Sequence, residues 1–113
     1  MATATPLNTF RNESYELTTS TQVIYTTPVG VTTIVLGAMA SNFGEDTASI
    51  RFSLVKPGDV EFILLKDFEI PINDAAEVTT SKLVLEENVY VKASASQDNT
   101  INIVFSILET SNE

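Results

Sequence analysis

The stretch TASIRFSLV, Thr47–Val55, decides the fold. Ile50, Phe52 and Leu54 fall on one side of it, while Ser49, Arg51 and Ser53 fall on the other. Apolar residues at every second position mark a strand with one buried and one wet face, because successive side chains of an extended chain point opposite ways. The stretch runs into Lys56-Pro57-Gly58-Asp59. Proline fixes φ there and glycine accepts a positive φ, so the chain reverses and Val60–Lys66 returns beside the first strand.

The same period governs the C-terminal third. Val89, Val91, Ala93 and Ala95 alternate with Tyr90, Lys92 and Ser94, and Ile101, Ile103, Phe105 and Ile107 alternate with Asn102 and Ser106. Val104 and Leu108 make that last strand apolar on its second face as well. A strand apolar on both faces lies centrally or under a partner. Turn signals separate further short runs: Thr19-Ser20-Thr21, Pro28-Val29-Gly30, Asn42–Asp46, Pro71–Asp74, Glu86-Glu87-Asn88 and Gln97-Asp98-Asn99. They predict about eight strands, including Tyr15–Thr18, Gln22–Thr26, one starting at Val31, and Lys82–Leu85. Gly37, inside the apolar run Thr33–Ala40, reads as a bulge. The only helical rival is Asp74-Ala75-Ala76-Glu77, which runs at once into the β-branched Val78-Thr79-Thr80. The expected architecture is an all-β antiparallel β-sandwich, jelly-roll-like or Ig-like, with a roll or barrel as the variant.

Residues 13–113 of this 113-residue chain make one sandwich domain on this reading. Residues 1–12 read as an N-terminal arm, polar and without alternation, whose apolar anchors are Leu7 and Phe10. Arms of this kind order against a neighbour. Leu7, Phe10, Val104 and Leu108 are therefore the candidate interface residues. The polar tail Glu109–Glu113 is expected to fray.

Apolar residues make up 43% and charged residues 19%, enough apolar content to fold around a core. There is no cysteine and no histidine. Disulfides, thiol nucleophiles, Ser-His-Asp and Cys-His catalysis and zinc sites of the usual ligand types are excluded together. Six scattered basic residues against fifteen acids give a net charge of −9, which repels a phosphate backbone and argues against a nucleic-acid partner. No run approaches the roughly 20 apolar residues of a membrane helix, and no secretory signal is visible, so a soluble protein made in a cytoplasm is expected.

Two kinds of chemistry survive these exclusions. A carboxylate pair, Asp59 with Glu61 or Asp67 with Glu69, sits on one face of an extended strand at roughly 6.5–7 Å, within the range glycoside hydrolysis uses. That spacing is ordinary in an acidic β protein, and so small a domain rarely has the cleft, so the chain reads as no enzyme. Glu45-Asp46, Glu86-Glu87-Asn88 or Asp98-Asn99 are oxygen-rich, but they read as solvated turns, and no cofactor or metal is expected. Exposed aromatics are a third resource: Phe10, Tyr15, Tyr25, Phe43, Phe68 and Tyr90 are candidates for a sugar platform, while Phe52, Phe62 and Phe105 fit the core.

Four segments in order, TPLNTFRN (Thr5–Asn12), IYTTPVGVTTIVLGAMASN (Ile24–Asn42), KLVLEENVYVKASAS (Lys82–Ser96) and INIVFSILET (Ile101–Thr110), resemble small structural proteins of tailed bacteriophages, marine myoviruses in particular. The resemblance spans nearly the whole chain, and Phe43–Asp74 matches least. It implies a β-sandwich accessory protein of the virion, either head decoration or cement or attached to tail or baseplate, assembled in the cytoplasm of a bacterial host. Its implied partners are its own subunits, as a trimer by analogy, and the major capsid or tail proteins. The alternative expectation is an adhesin on the particle that binds host-surface glycan through exposed aromatics such as Tyr25 and Phe43.

Overall fold

The reversal at Lys56–Asp59 is the tip of a long antiparallel ribbon, with φ of +88° at Gly58 and 61° at Asp59. Residues 8–79 and 82–111 are described by the structure, a computed structural model. Behind the tip, β4 (Ala48–Lys56) pairs with β5 (Val60–Ile70), and β3 (Val31–Asn42) pairs with both β6 (Ala75–Glu77) and β7 (Leu83–Leu85). Further back, β2 (Gln22–Thr26) pairs with β8 (Tyr90–Ala95), and β1 (Asn8–Glu16) with β9 (Ile101–Ser111). Winding this ribbon puts alternate pairs into different sheets. The first sheet runs β1-β9-β3-β6, with β7 also on β3, and the second runs β2-β8-β4-β5.

That order is the jelly roll, two interlocked Greek keys packed face to face. The expected sandwich is present, with nine strands where the sequence suggests about eight, because the return strand beside β3 is split into β6 and β7. Between these halves the Val78 amide still donates to the Ala38 carbonyl at 2.8 Å. Gly37 marks a register shift on β3, between Val35 and Gly37.

The core forms where the two inward faces meet. Ile50, Phe52 and Leu54 of β4 and Ile101, Ile103, Phe105 and Ile107 of β9 are all buried, as their alternation requires. The rings of Phe52 and Phe105 join the layers edge to face, with centroids 6.1 Å apart. Such contacts add about 0.5–1.5 kcal/mol to the burial of each ring.

Several local expectations are corrected. β1 starts at Asn8, so Asn8–Asn12 of the segment read as an arm pair with β9, while residues 1–7 lie outside the described residues. β9 continues to Ser111 instead of fraying at Glu109, because Glu109 pairs with both Thr9 and Thr33 and its carboxylate is held by Tyr25 and Arg11. Ala75–Glu77, read from sequence as the one rival for a helical turn and set aside, is a strand to which no strand had been assigned, set up by the Pro71–Asp74 turn with φ of 60° at Asn73. β5 extends past Lys66 to Ile70 through register irregularities, one of which places Asp67 at φ 55°. Phe62, expected in the core, is 49% exposed. It lies on an edge strand, and the three-residue strands β6 and β7 of the other sheet give that edge little cover.

Candidate assembly interface

Register places the candidate interface residues. Residues directly opposite in an antiparallel pair point to the same side of the sheet. On β9 the buried set is Ile101, Ile103, Phe105 and Ile107, so Asn102, Val104, Ser106 and Leu108 point outward. Phe10 lies opposite Leu108, Leu108 opposite Ile34, and Ile34 opposite Val84. These four make an apolar row across the outer face of the first sheet, on β1, β9, β3 and β7. Phe10 is 73% exposed and Val84 59%.

Two residues further along β9 the row is Asn12, Ser106 and Gly37, all small or polar. Two further still it is Ser14, Val104, Met39 and Glu77, in which Met39 is 53% exposed. The last row is Glu16, Asn102, Ser41 and Ala75. Leu36, displaced by the bulge before Gly37, is exposed as well. The outer face thus carries an apolar ridge, a shallow trough and a second, weaker ridge. Among its paired outward positions only Glu16 and Glu77 are charged, on a chain of net charge −9.

Of the four candidate interface residues, Phe10, Val104 and Leu108 share this face. Leu7 lies outside the described residues. Ile34, Met39 and Val84 belong to the same surface and were not singled out from sequence. For Ile34 and Met39 the signal was the second apolar side of Thr33–Ala40, whose alternation the Gly37 bulge breaks.

The outer face of the second sheet is different. Arg51 lies opposite Ser94 and Ser53 opposite Lys92, and these four with Thr21 and Glu61 line a shallow polar depression. Lys92 Nζ is 3.4 Å from Glu61 Oε1. The Glu61 carboxyl is held below its ordinary range, chiefly by a hydrogen bond from the Ser53 hydroxyl, with Lys92 and Arg51 adding favourable charge.

The remaining sequence candidates do not converge. Asp59 sits in the tip turn and Asp67 at a positive-φ irregularity, so neither continues a regular strand face with Glu61 or Glu69. Among the described residues no three acidic side chains come together as metal ligands do. Phe10, Tyr15, Phe43 and Phe68 are exposed, as a sugar platform requires, but Tyr25 is buried. Its hydroxyl is occupied by Thr33 and Glu109, and burial together with the Glu109 contact pushes its pKa up.

No protein-family model matches this chain, and no curated protein matches it. Solved structures do share its fold. A chain of the Bacillus endospore appendages, a family of disulfide-linked pili, superposes with a TM-score of 0.60 at 6% identity, over 95% of this chain and 88% of that one. A chain of the acid-stable capsid of Helicobacter pylori bacteriophage KHP30 gives 0.54 at 10% identity, over 96% and 90%. A pentameric capsid protein from metagenomic phage sequences gives 0.45 at 14% identity, over 88% and 61%. For the first two, at such identities, the likeness is one of fold.

Proposed function

We propose that this chain is a structural protein of a phage particle, an accessory subunit of head, tail or baseplate that acts by binding its own copies and other virion proteins. The observation that carries the reading is the outer face of the first sheet, an apolar and almost uncharged surface displayed by a rigid jelly roll. Surfaces of that kind, when extensive, are docking sites on soluble proteins. The jelly roll shared with a phage capsid chain and the four-segment resemblance to tailed-phage structural proteins support the virion setting. The reading assigns the chain no catalysis. Mass spectrometry of purified particles of the phage that encodes it, with immunogold labelling, is expected to find the chain at stoichiometric copy number; its absence from particles removes the proposal.

One observation favours a second reading, a glycan-binding role on the particle. The depression lined by Thr21, Arg51, Ser53, Glu61, Lys92 and Ser94 offers cations, hydroxyls and a carboxylate together, the mixed polar set that acidic sugars engage. Glycan-array binding abolished by Arg51→Ala supports it, and an array with no signal from the wild type removes it.

A further inference from the structure

We propose that the outer face of the first sheet receives a basic segment of another virion protein, with a lysine seated over Gly37 between Glu77 and Ser106. This partner rests on the assembly reading above, whose docking chemistry it specifies.

Register builds the seat. Met39 lies opposite Glu77 on one side and Val104 on the other, and Gly37 lies opposite Ser106 one strand repeat away. A Cβ placed on Gly37 would meet Glu77 Oε2 at 3.4 Å, so the carboxylate leans over bare backbone there. Gly37, Met39, Glu77, Val104 and Ser106 line a depression of about 350 Å³. Among the described residues no hydrogen bond or ion pair engages this carboxylate, and Lys82, the nearest cation in sequence, forms none with it.

One kind of side chain satisfies the carboxylate, the hydroxyl and the apolar walls together. A lysine lays its methylene stem along the exposed Met39 and Val104, and its ammonium donates to Glu77 and to the Ser106 hydroxyl. An aliphatic group would desolvate Glu77 without pairing it, and an anion would be repelled.

A second acid extends the match. Glu16 stands at the opposite margin of the face, in a depression that shares Val104 with the first. β1 and β6 are three strand spacings apart and the Glu16 row lies one repeat beyond the Glu77 row, which separates the two acids by roughly 16 Å. An extended segment with two lysines four residues apart covers about 13 Å of this, and the flexible lysine stems cover the rest. The face is thus negative at both margins and apolar between them. A second copy of this chain would bring a further −9 towards these acids, whereas a partner with a positive surface is drawn in by the same charge.

The test is carbodiimide treatment of purified particles, which joins a carboxylate to an amine in contact with it, followed by mass spectrometry of the linked peptides. The expected product is an amide between Glu77 and a lysine of another virion protein. A second arm uses the purified full chain, titrated in an NMR tube with the peptide acetyl-Lys-Ser-Leu-Ser-Lys-amide. The amide signals of Gly37, Met39 and Val104 are expected to shift saturably. Glu77→Gln is expected to weaken this binding at least about tenfold, and acetylation of both peptide lysines to abolish it. Glu77 is exposed, so the variant keeps its fold, which unchanged signals elsewhere in its spectrum verify. A chain present in particles whose Glu77 is unlinked, or linked only to lysines of this same sequence, overturns the proposal and leaves the virion reading standing; absence from particles removes both. Peptide binding indifferent to Glu77→Gln, or no saturable shift at all, also overturns it.

Discussion

The Tyr25 hydroxyl donates to Glu109 Oε2 at 2.5 Å, tying β2 of the second sheet to β9 of the first across 84 residues of sequence. The Thr33 hydroxyl lies 2.7 Å from the Tyr25 phenolic oxygen. With the tyrosine proton given to Glu109, Thr33 acts as donor there. Arg11 reaches the other Glu109 oxygen at 3.4 Å and Glu13 at 2.6 Å, which extends the network to the edge strand β1. One end of the sandwich is therefore latched by a chain of polar contacts that no short-range sequence pattern announces.

Tyr25→Phe is expected to destabilise the fold by about 1–2 kcal/mol, since it leaves both Thr33 and Glu109 short of a partner in a partly buried setting. The pH dependence has a definite sign. Burial and Glu109 raise the Tyr25 pKa, so the folded state holds the phenolic proton more tightly than the unfolded chain does. This contribution is complete below the unfolded tyrosine value of about 10 and is lost as pH rises above it. Urea titrations from pH 8 to 11 check this: the wild type should lose stability more steeply than Tyr25→Phe. Equal slopes would mean the latch does not form.

Thr27 carries the opposite expectation. It is 1% exposed and its Oγ1 has no hydrogen-bond partner, although its backbone pairs with Val89 and Asn88. A buried hydroxyl without a partner costs about 1–3 kcal/mol of desolvation. Thr27→Val keeps the shape and removes the group, so it should stabilise by about 1 kcal/mol and raise the melting temperature by several degrees. Calorimetry decides it, and a lower melting temperature would refute it.

On the second sheet, the causes of the depressed Glu61 pKa are ranked. The Ser53 hydrogen bond outweighs the Lys92 charge. Side-chain carboxyl titration by NMR should therefore show the Glu61 value rise in Ser53→Ala as well as in Lys92→Gln. Because the pKa is lowered in the fold, the associated stabilisation is present above the unfolded glutamate range and fades as pH falls through it. No rise in Ser53→Ala would show that charge, not the hydroxyl, sets the carboxylate.

Much of this architecture is legible without coordinates, for physical reasons that differ between strands. β8 and β9 are covered mainly on one side, so their alternation is clean; β4 alternates in sequence although Ser53 and Val55 are buried as well, and the Pro-Gly tip fixes the ribbon's reversal. β1 is not legible because NTFRNESYE is an edge strand with water on most of both faces, so burial imposes no period on it. β5 loses its period at its register irregularities, which is why Asp67 was misplaced, whereas Phe62 keeps its register opposite buried Leu54 and is exposed because the edge of the sandwich leaves it uncovered. Val104 and Leu108 announced an outward apolar surface. Its other half, Ile34 with Met39, was hidden because the bulge before Gly37 puts an even number of residues, four, between two positions on the same face. Register, which only the fold supplies, joins them to Phe10 and Val84.

Asn42 shows how strongly a single polar side chain can hold this fold. It ends β3 on the inward side and is buried, yet it is fully engaged. Its amide nitrogen donates to the Asp46 carbonyl at 2.8 Å and to the Ile70 carbonyl at 2.9 Å, and its oxygen accepts from the Gly44 amide at 2.9 Å. The side chain thus shapes the β3–β4 turn and pins the end of β5 to it, linking the two sheets at the end opposite Val31. Asn42→Ala would leave three backbone groups without this partner, the Ile70 carbonyl buried and the Asp46 carbonyl and Gly44 amide half-buried, at a cost of about 2–4 kcal/mol. Asn42→Asp keeps the acceptor but replaces the two donors with a second oxygen facing two carbonyls, so it should be at least as damaging near neutral pH. It should recover part of the loss below about pH 4, where the protonated acid can donate once. Denaturant melts of both variants at pH 7 and pH 3.5 test the assignment, and an aspartate variant as stable as wild type at pH 7 would show that the amide donors contribute nothing.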